Sequence, residues 1–218
     1  MKIEKVNVPC AVCGKECEVT VVYSYSTRST PDLDLMHPYT DPSMTIQMCP
    51  HCHYASYDLE KLDEDSYPNE HQKEAWINDS ELQELVKTTE NQSALKCLIM
   101  AYRNNCNLEY EKMVRNLHKA SYILEQSGEM ELASEVKKQA LDTYKEYIVS
   151  ERISELLATA DMARMAGEFD VAEKLASSAK AIIDLDKDSD VLNDVYKFEM
   201  ELIEKKDTAR HNTEEAFD

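Results

Sequence analysis

Three cysteines stand within eight residues near the start of the chain, in the stretch "VPCAVCGKECEV", Val8 to Val19. Two of them form Cys10-x-x-Cys13, and a second pair, Cys49-x-x-Cys52, follows after a gap of 35 residues. A Cys-x-x-Cys turn directs two sulfurs at one point and offers backbone N–H groups to the thiolates. Two such turns, brought together by a β-hairpin, make a tetrahedral four-sulfur site. Soft thiolates in a closed tetrahedron select zinc, Zn2+ in a structural role. Iron in a rubredoxin-like centre is the alternative, and a metal-free or disulfide-bonded set the third reading. A four-cysteine site has no open position for water or substrate, so it stabilises a fold and does not activate a nucleophile. The small segment that carries it has little apolar surface, so metal binding is expected to be needed for its folding.

The neighbours of these ligands have other expected roles. Cys17 is read as a small buried residue that points elsewhere, with a competing ligand or a reactive thiol as the alternative. His51 occupies a position inside the second pair whose side chain normally faces away from a metal. His53 takes the slot equivalent to Gly14, where a positive φ is expected, so a histidine there accepts strain or changes the turn. Cys97 and Cys106 fall in or beside the helical part and are read as inert packing.

Other chemistries lack their residues. The chain has three glycines, Gly14, Gly128 and Gly167, each placed for a knuckle or a helix C-cap. None remains for a phosphate loop, a dinucleotide fingerprint or a nucleophile elbow. There is no His-Glu-x-x-His, and none of the six histidines completes a Glu-x-x-His pair. The many carboxylates on helical stretches read as a solvated face.

Two grammars divide the 218 residues. Residues 1–57 read as a small β zinc-ribbon-like module. "VTVVYSYS" (Val19–Ser26) and "MTIQMC" (Met44–Cys49) read as strands, separated by a proline-rich loop. Residues 58–78 are acidic and polar, and read as a connector. Residues 79–206 carry one amphipathic helical pattern after another. Within them, Ser121–Ala140 aligns without a gap on Ala160–Ala179 at an offset of 39. The pairs Gly128/Gly167, Glu129/Glu168, Met130/Phe169, Ala133/Ala172 and Ala140/Ala179 match or nearly match. This resembles the tetratricopeptide (TPR) helical hairpin, with a longer period. Residues 207–218 read as a flexible tail. The fold class is therefore α+β, mostly α, with antiparallel TPR-like hairpins following the small module.

The first knuckle (Cys10, Cys13, Gly14) and the second (Cys49, Pro50, Cys52, Tyr54, Ala55), with Arg28 between them, resemble the bacterial family catalogued as domain of unknown function 2225. Its members pair two such knuckles and continue into TPR-like helices. Ala11 stands where that pattern has proline, Cys17 where it has an apolar aromatic, and His53 where it has glycine. The resemblance implies a bacterial cytoplasmic protein and carries no assigned reaction.

The net charge of −19 opposes binding to polyanions. Residues 1–57 hold Lys2, Lys5, Lys15 and Arg28 against Glu4, Glu16, Glu18, Asp32, Asp34 and Asp41, so no basic patch overrides the total. The start of the sequence lacks the apolar core of a signal peptide, and no apolar run approaches the ~18 residues of a membrane span. Seven cysteines without an export signal suit a reducing cytosol. The reading is thus a non-enzymatic interaction protein that binds a protein or peptide partner through its helices. A TPR-like register would turn Arg115, His118, Tyr122 and Glu125, and in the second repeat Ser154, Leu157, Asp161 and Arg164, toward a groove. Nucleic-acid binding through the ribbon, with Tyr23, Tyr25 and Tyr39 stacking on bases, is one alternative. A rubredoxin-like or thiol redox protein is the other.

Overall fold

The computed structural model describes residues 2–26, 30–38, 40–62, 65–185 and 190–217. Their contacts separate into two compact units. One comprises Met1–Ser26 with Asp41–Thr143, the other Thr27–Thr40 with Tyr144–Asp218. The loop after the first hairpin thus groups with the C-terminal helices, where the sequence placed it in one module with the knuckles.

In the first unit, β1 (Lys2–Pro9) pairs antiparallel with β2 (Glu16–Ser24). On β2, Cys17 and Val19 are buried while Glu16, Glu18 and Thr20 are exposed, the alternation of a strand with one covered face. Each knuckle sits at the tip of its own hairpin. The first closes β1–β2, and the second closes the two-residue strands β3 (Gln47–Met48) and β4 (Ala55–Ser56). The partner of β2 is therefore β1.

The expected connector is a folded element. A 3-10 turn (Glu70–Gln72) leads into α1 (Lys73–Ile77), which buries Trp76 completely. The indole packs against Tyr54, Tyr67 and Tyr102 at centroid distances of 5.8, 5.7 and 6.3 Å. α2 (Ser80–Thr88) is capped by Asp79, whose carboxylate accepts from the N–H groups of Glu81 and Leu82. Asp79 also accepts from the Tyr67 and Tyr102 hydroxyls, at 3.1 and 2.6 Å. α3 (Gln92–Cys106) is capped by Asn91 and packs against α4 (Tyr110–Gln126); α5 spans Met130–Tyr147.

In the second unit, α6 (Ile153–Met165) packs on α7 (Phe169–Ile183), and α8 (Asp190–Glu204) packs on both. Leu156, Leu157 and Ala179 form the apolar centre, flanked by Ile153, Leu175, Ile182, Val195 and Tyr196. Ala172, Ala176 and Ala179 are fully buried along α7, and small side chains at that spacing let two helices approach closely.

The internal repeat corresponds to a shared turn. Gly128 and Gly167 adopt φ of +84° and +77°. The next residue in each case closes a Schellman bond, Glu129 N–H to the Leu124 carbonyl and Glu168 N–H to the Ala163 carbonyl, both at 2.9 Å. Two further helices end the same way without glycine. Leu108 (φ +57°) precedes a Glu109 N–H to Asn104 bond, and Lys206 (φ +54°) precedes an Asp207 N–H to Leu202 bond.

The tail expected to be flexible carries a 3-10 helix, Thr213–Phe217, and pairs with residues 30–33. Among the described residues, no helix is long and apolar enough to cross a membrane.

Candidate metal centre

Cys10 and Cys13 lie on the turn between β1 and β2. Its geometry is set by the Cys10 N–H bond to the Lys15 carbonyl (3.0 Å) and the Gly14 N–H bond to the Cys10 carbonyl (2.8 Å). The second knuckle repeats both bonds, Cys49 N–H to Tyr54 (2.9 Å) and His53 N–H to Cys49 (3.0 Å). Gly14 holds φ +70° and His53 holds φ +56°, so the histidine keeps the knuckle and bears the left-handed strain.

The four sulfurs converge. Cys10 Sγ is 3.6 Å from Cys52 Sγ, Cys13 Sγ is 3.7 Å from Cys49 Sγ, and all four lie within 4.8 Å of one another. A metal bonded to sulfur at ~2.3 Å needs sulfurs roughly 3.8 Å apart in a tetrahedron. The cage already has that size, so the donor set fits a metal ion. Cys10, Cys49 and Cys52 are buried and Cys13 is partly so. The His51 N–H donates to Cys49 Sγ at 3.4 Å, the backbone support expected of such a turn. Without a cation the thiols share protons unequally. A bond from the Cys52 thiol pulls Cys10 down to about 5, while burial pushes Cys49 up to about 12; the same bond and burial push Cys52 up as well. A metal ion held by Cys10, Cys13, Cys49 and Cys52 would resolve that conflict by taking the place of the protons.

Three contacts tie the cage to its surroundings. Ala11 N–H donates to the Leu59 carbonyl at 2.9 Å, and Leu59 N–H donates to the Gln47 side chain at 3.0 Å. Trp76 Nε1 donates to the Cys52 carbonyl at 3.0 Å. The first of these accounts for alanine where the resembling pattern has proline, since a proline has no N–H to give.

The remaining candidates separate cleanly. Cys17 is buried, its Sγ 3.5 Å from the Val8 carbonyl, and burial pushes its thiol pKa up; it lies outside the four-sulfur group. His51 is exposed. His53 is half-buried, its Nδ1 has no hydrogen-bond partner, and burial lowers its pKa. Cys97 is buried as expected, but Cys106 is exposed.

The family described as "Uncharacterized protein conserved in bacteria (DUF2225)" matches residues 3–200. The chain belongs to this family. Neither a curated protein nor a solved structure matches it. The family match spans the two knuckles and α1 to α7 entire, so the DUF2225 unit includes the cage and nearly all of the helical part.

Most of the residues that a TPR-like register would turn toward a groove are buried. Tyr122, Leu157, Asp161 and Arg164 are 3%, 4%, 1% and 0% exposed, and His118 is buried. Glu125 forms an ion pair with the largely buried Lys137. Only Arg115, paired with Glu111, and Ser154 are exposed. α6 is buried continuously from Leu156 to Arg164, so it has no free concave face. Tyr23 and Tyr25 are exposed on and just beyond β2; Arg28 and Tyr39 lie outside the described residues.

The sequence reading missed the polar centre of the second unit. Arg164 is paired with Asp161, and its Nε lies 3.3 Å from Glu199. Burial raises Asp161 well above the usual carboxylate range, with the Glu199 charge adding to it, and burial raises Glu199 too. A signal existed: an Asp and an Arg three apart in the otherwise apolar run "LLATADMARMA" must pair if that helix is buried.

Proposed function

We propose that this is a non-enzymatic protein in which zinc, held by Cys10, Cys13, Cys49 and Cys52, fixes the small β module, and that the helical part serves a protein or peptide partner. The observation that carries the reading is the preformed four-sulfur cage, tetrahedral in size and bonded from the backbone. When bound, the ion supplies charge neutralisation and cross-linking and no open coordination position, which favours a structural role over catalysis. Cys10 and Cys13 anchor the β1–β2 hairpin to it, and Cys49 and Cys52 anchor β3–β4. Trp76 passes the position of Cys52 to α1.

Zinc is favoured over iron because closed four-cysteine sites on two Cys-x-x-Cys turns are the usual structural zinc set. Cys10, Cys49 and Cys52 are buried, and seven free thiols fit a reducing cytosol. Partner binding is supported by the helical hairpins, an architecture that commonly presents recognition surfaces.

Elemental analysis of the purified chain tests the metal. One zinc per chain with no visible absorbance supports the reading, whereas stoichiometric iron with colour transfers the site to electron transfer.

A further inference from the structure

The end of the chain is an outer layer on the second unit. Past Lys206 it runs antiparallel to residues 30–33. Leu33 N–H donates to the His211 carbonyl at 3.0 Å, Thr213 N–H donates to the Pro31 carbonyl at 3.1 Å, and Asp32 bridges Asn212. The Asn212 amide donates to the Thr30 carbonyl and the Thr213 hydroxyl to the Pro31 carbonyl, both at 2.8 Å.

Two arginines, one on the tail and one on α6, clamp this pairing. Arg210, on the tail, donates to Asp34 and lies 3.4 Å from Asp32. Arg164, on α6, donates to the carbonyls of Asp207 and Ala209, the latter at 2.9 Å. Burial is one-sided. No residue from 207 to 217 is buried, while Asp32, Leu33, Asp34 and Arg164 beneath them are 5%, 3%, 1% and 0% exposed. Much of what the tail covers is charged or hydrogen-bonding, with Leu33 and the Phe198 ring, edge-on to His211 at 5.7 Å, as the apolar part, so another peptide of like chemistry can replace it.

We propose that the edge formed by residues 30–36, with Arg164 beside it, is a binding site for an extended, arginine-bearing peptide of a protein partner, which residues 207–213 occupy in cis. The mode is strand addition. Pro31 and Leu33 pair with the peptide backbone, Asp32 and Asp34 receive the arginine, and Arg164 reads the carbonyls one and three residues before it. The tail follows α8 directly, so its effective concentration is high and a partner must outcompete it. The proposal rests on the interaction-protein reading above and gives the partner a chemistry and a place other than the helical groove.

The test uses the full chain and a fluorescein-labelled peptide of residues 206–217, with binding followed by anisotropy. Arg210→Ala in the chain weakens the cis occupant, so the peptide binds that variant at least ~10-fold more tightly than the wild type. The peptide carrying Arg210→Ala binds at least ~10-fold more weakly than the native peptide, since the charge-assisted contact of one guanidinium nitrogen with Asp32 and Asp34 is lost. Asn212→Ala in the chain replaces the first variant if far-UV circular dichroism shows that variant unfolded. Equal binding to both chains, or indifference to the peptide's arginine, overturns the proposal. Concentration-dependent dimers that exchange tails overturn it in favour of a second copy. Failure of the peptide to bind even the Arg210→Ala chain overturns the proposal while leaving the metal reading intact, and a chain without metal leaves the edge intact.

Discussion

Ala11 shows how much one backbone group can matter at the cage. Its N–H meets the carbonyl of Leu59, a fully buried residue, so Ala11→Pro leaves that acceptor without its donor. The expected loss is about 1–2 kcal/mol, measured by urea denaturation of the metal-loaded protein. Left-handed residues give a paired prediction of opposite sign. A Cβ at Gly128 meets nothing within 4 Å, so Gly128→Ala costs only backbone strain, about 1 kcal/mol. Leu108 already bears that strain with a side chain 71% exposed, so Leu108→Gly stabilises by about 0.5–1 kcal/mol. Equal signs for the two variants in thermal melts would contradict the shared Schellman geometry. At this scale the sequence was informative where chemistry restricts the residue type. Spacing alone identified the four cysteines and assigned Gly14, Gly128 and Gly167 to positive φ. Leu108 and Lys206 were hidden because neither residue type signals that conformation.

Among the elements, α1 is the least legible and the most consequential for the cage. Five residues in an acidic stretch show no periodicity, and only the lone Trp76 marked them as anything but a connector. Trp76→Phe removes the donor to the Cys52 carbonyl, with an expected loss of about 1–3 kcal/mol and faster stripping of the metal by a chelator. An unchanged stripping rate would separate α1 from the cage. The helical hairpins were legible from periodicity and the 39-residue offset, but their exposed faces were not. A register borrowed from TPR repeats assumes one free face on α6, whereas its apolar residues and alanines encircle it, as in a helix buried all round. The buried Asp161, facing Arg164 on its own helix, Glu199 on α8 and the charge of Asp34, has its pKa raised well above the ordinary value. A raised carboxyl pKa means that the unfolded chain gives up this proton first as pH rises. Stability from Asp161 is therefore complete below its unfolded pKa near 4 and falls as pH climbs toward the folded value. Asp161→Asn abolishes that fall, so its stability relative to wild type rises as pH climbs from about 4. A difference that stays constant as pH rises contradicts a raised pKa at Asp161.

For the whole molecule, composition and charge set the class but not the partition into units. The β2–β3 loop and the C-terminal tail are paired across about 180 residues of sequence, by backbone bonds and two arginine clamps that no local pattern announces. The cage is different, because four sulfurs brought together from two distant knuckles are a set that a metal ion would hold, whatever lies between them. That is the central claim, and the metal content of the chain, purified without a metal-affinity tag, tests it most directly. The account predicts one zinc per chain, retained on dialysis and lost with Cys52→Ser, its release shifting the emission of the single tryptophan to the red. Substoichiometric metal in wild-type protein, with Cys10, Cys13, Cys49 and Cys52 all free to alkylating reagent in the folded state, would contradict it.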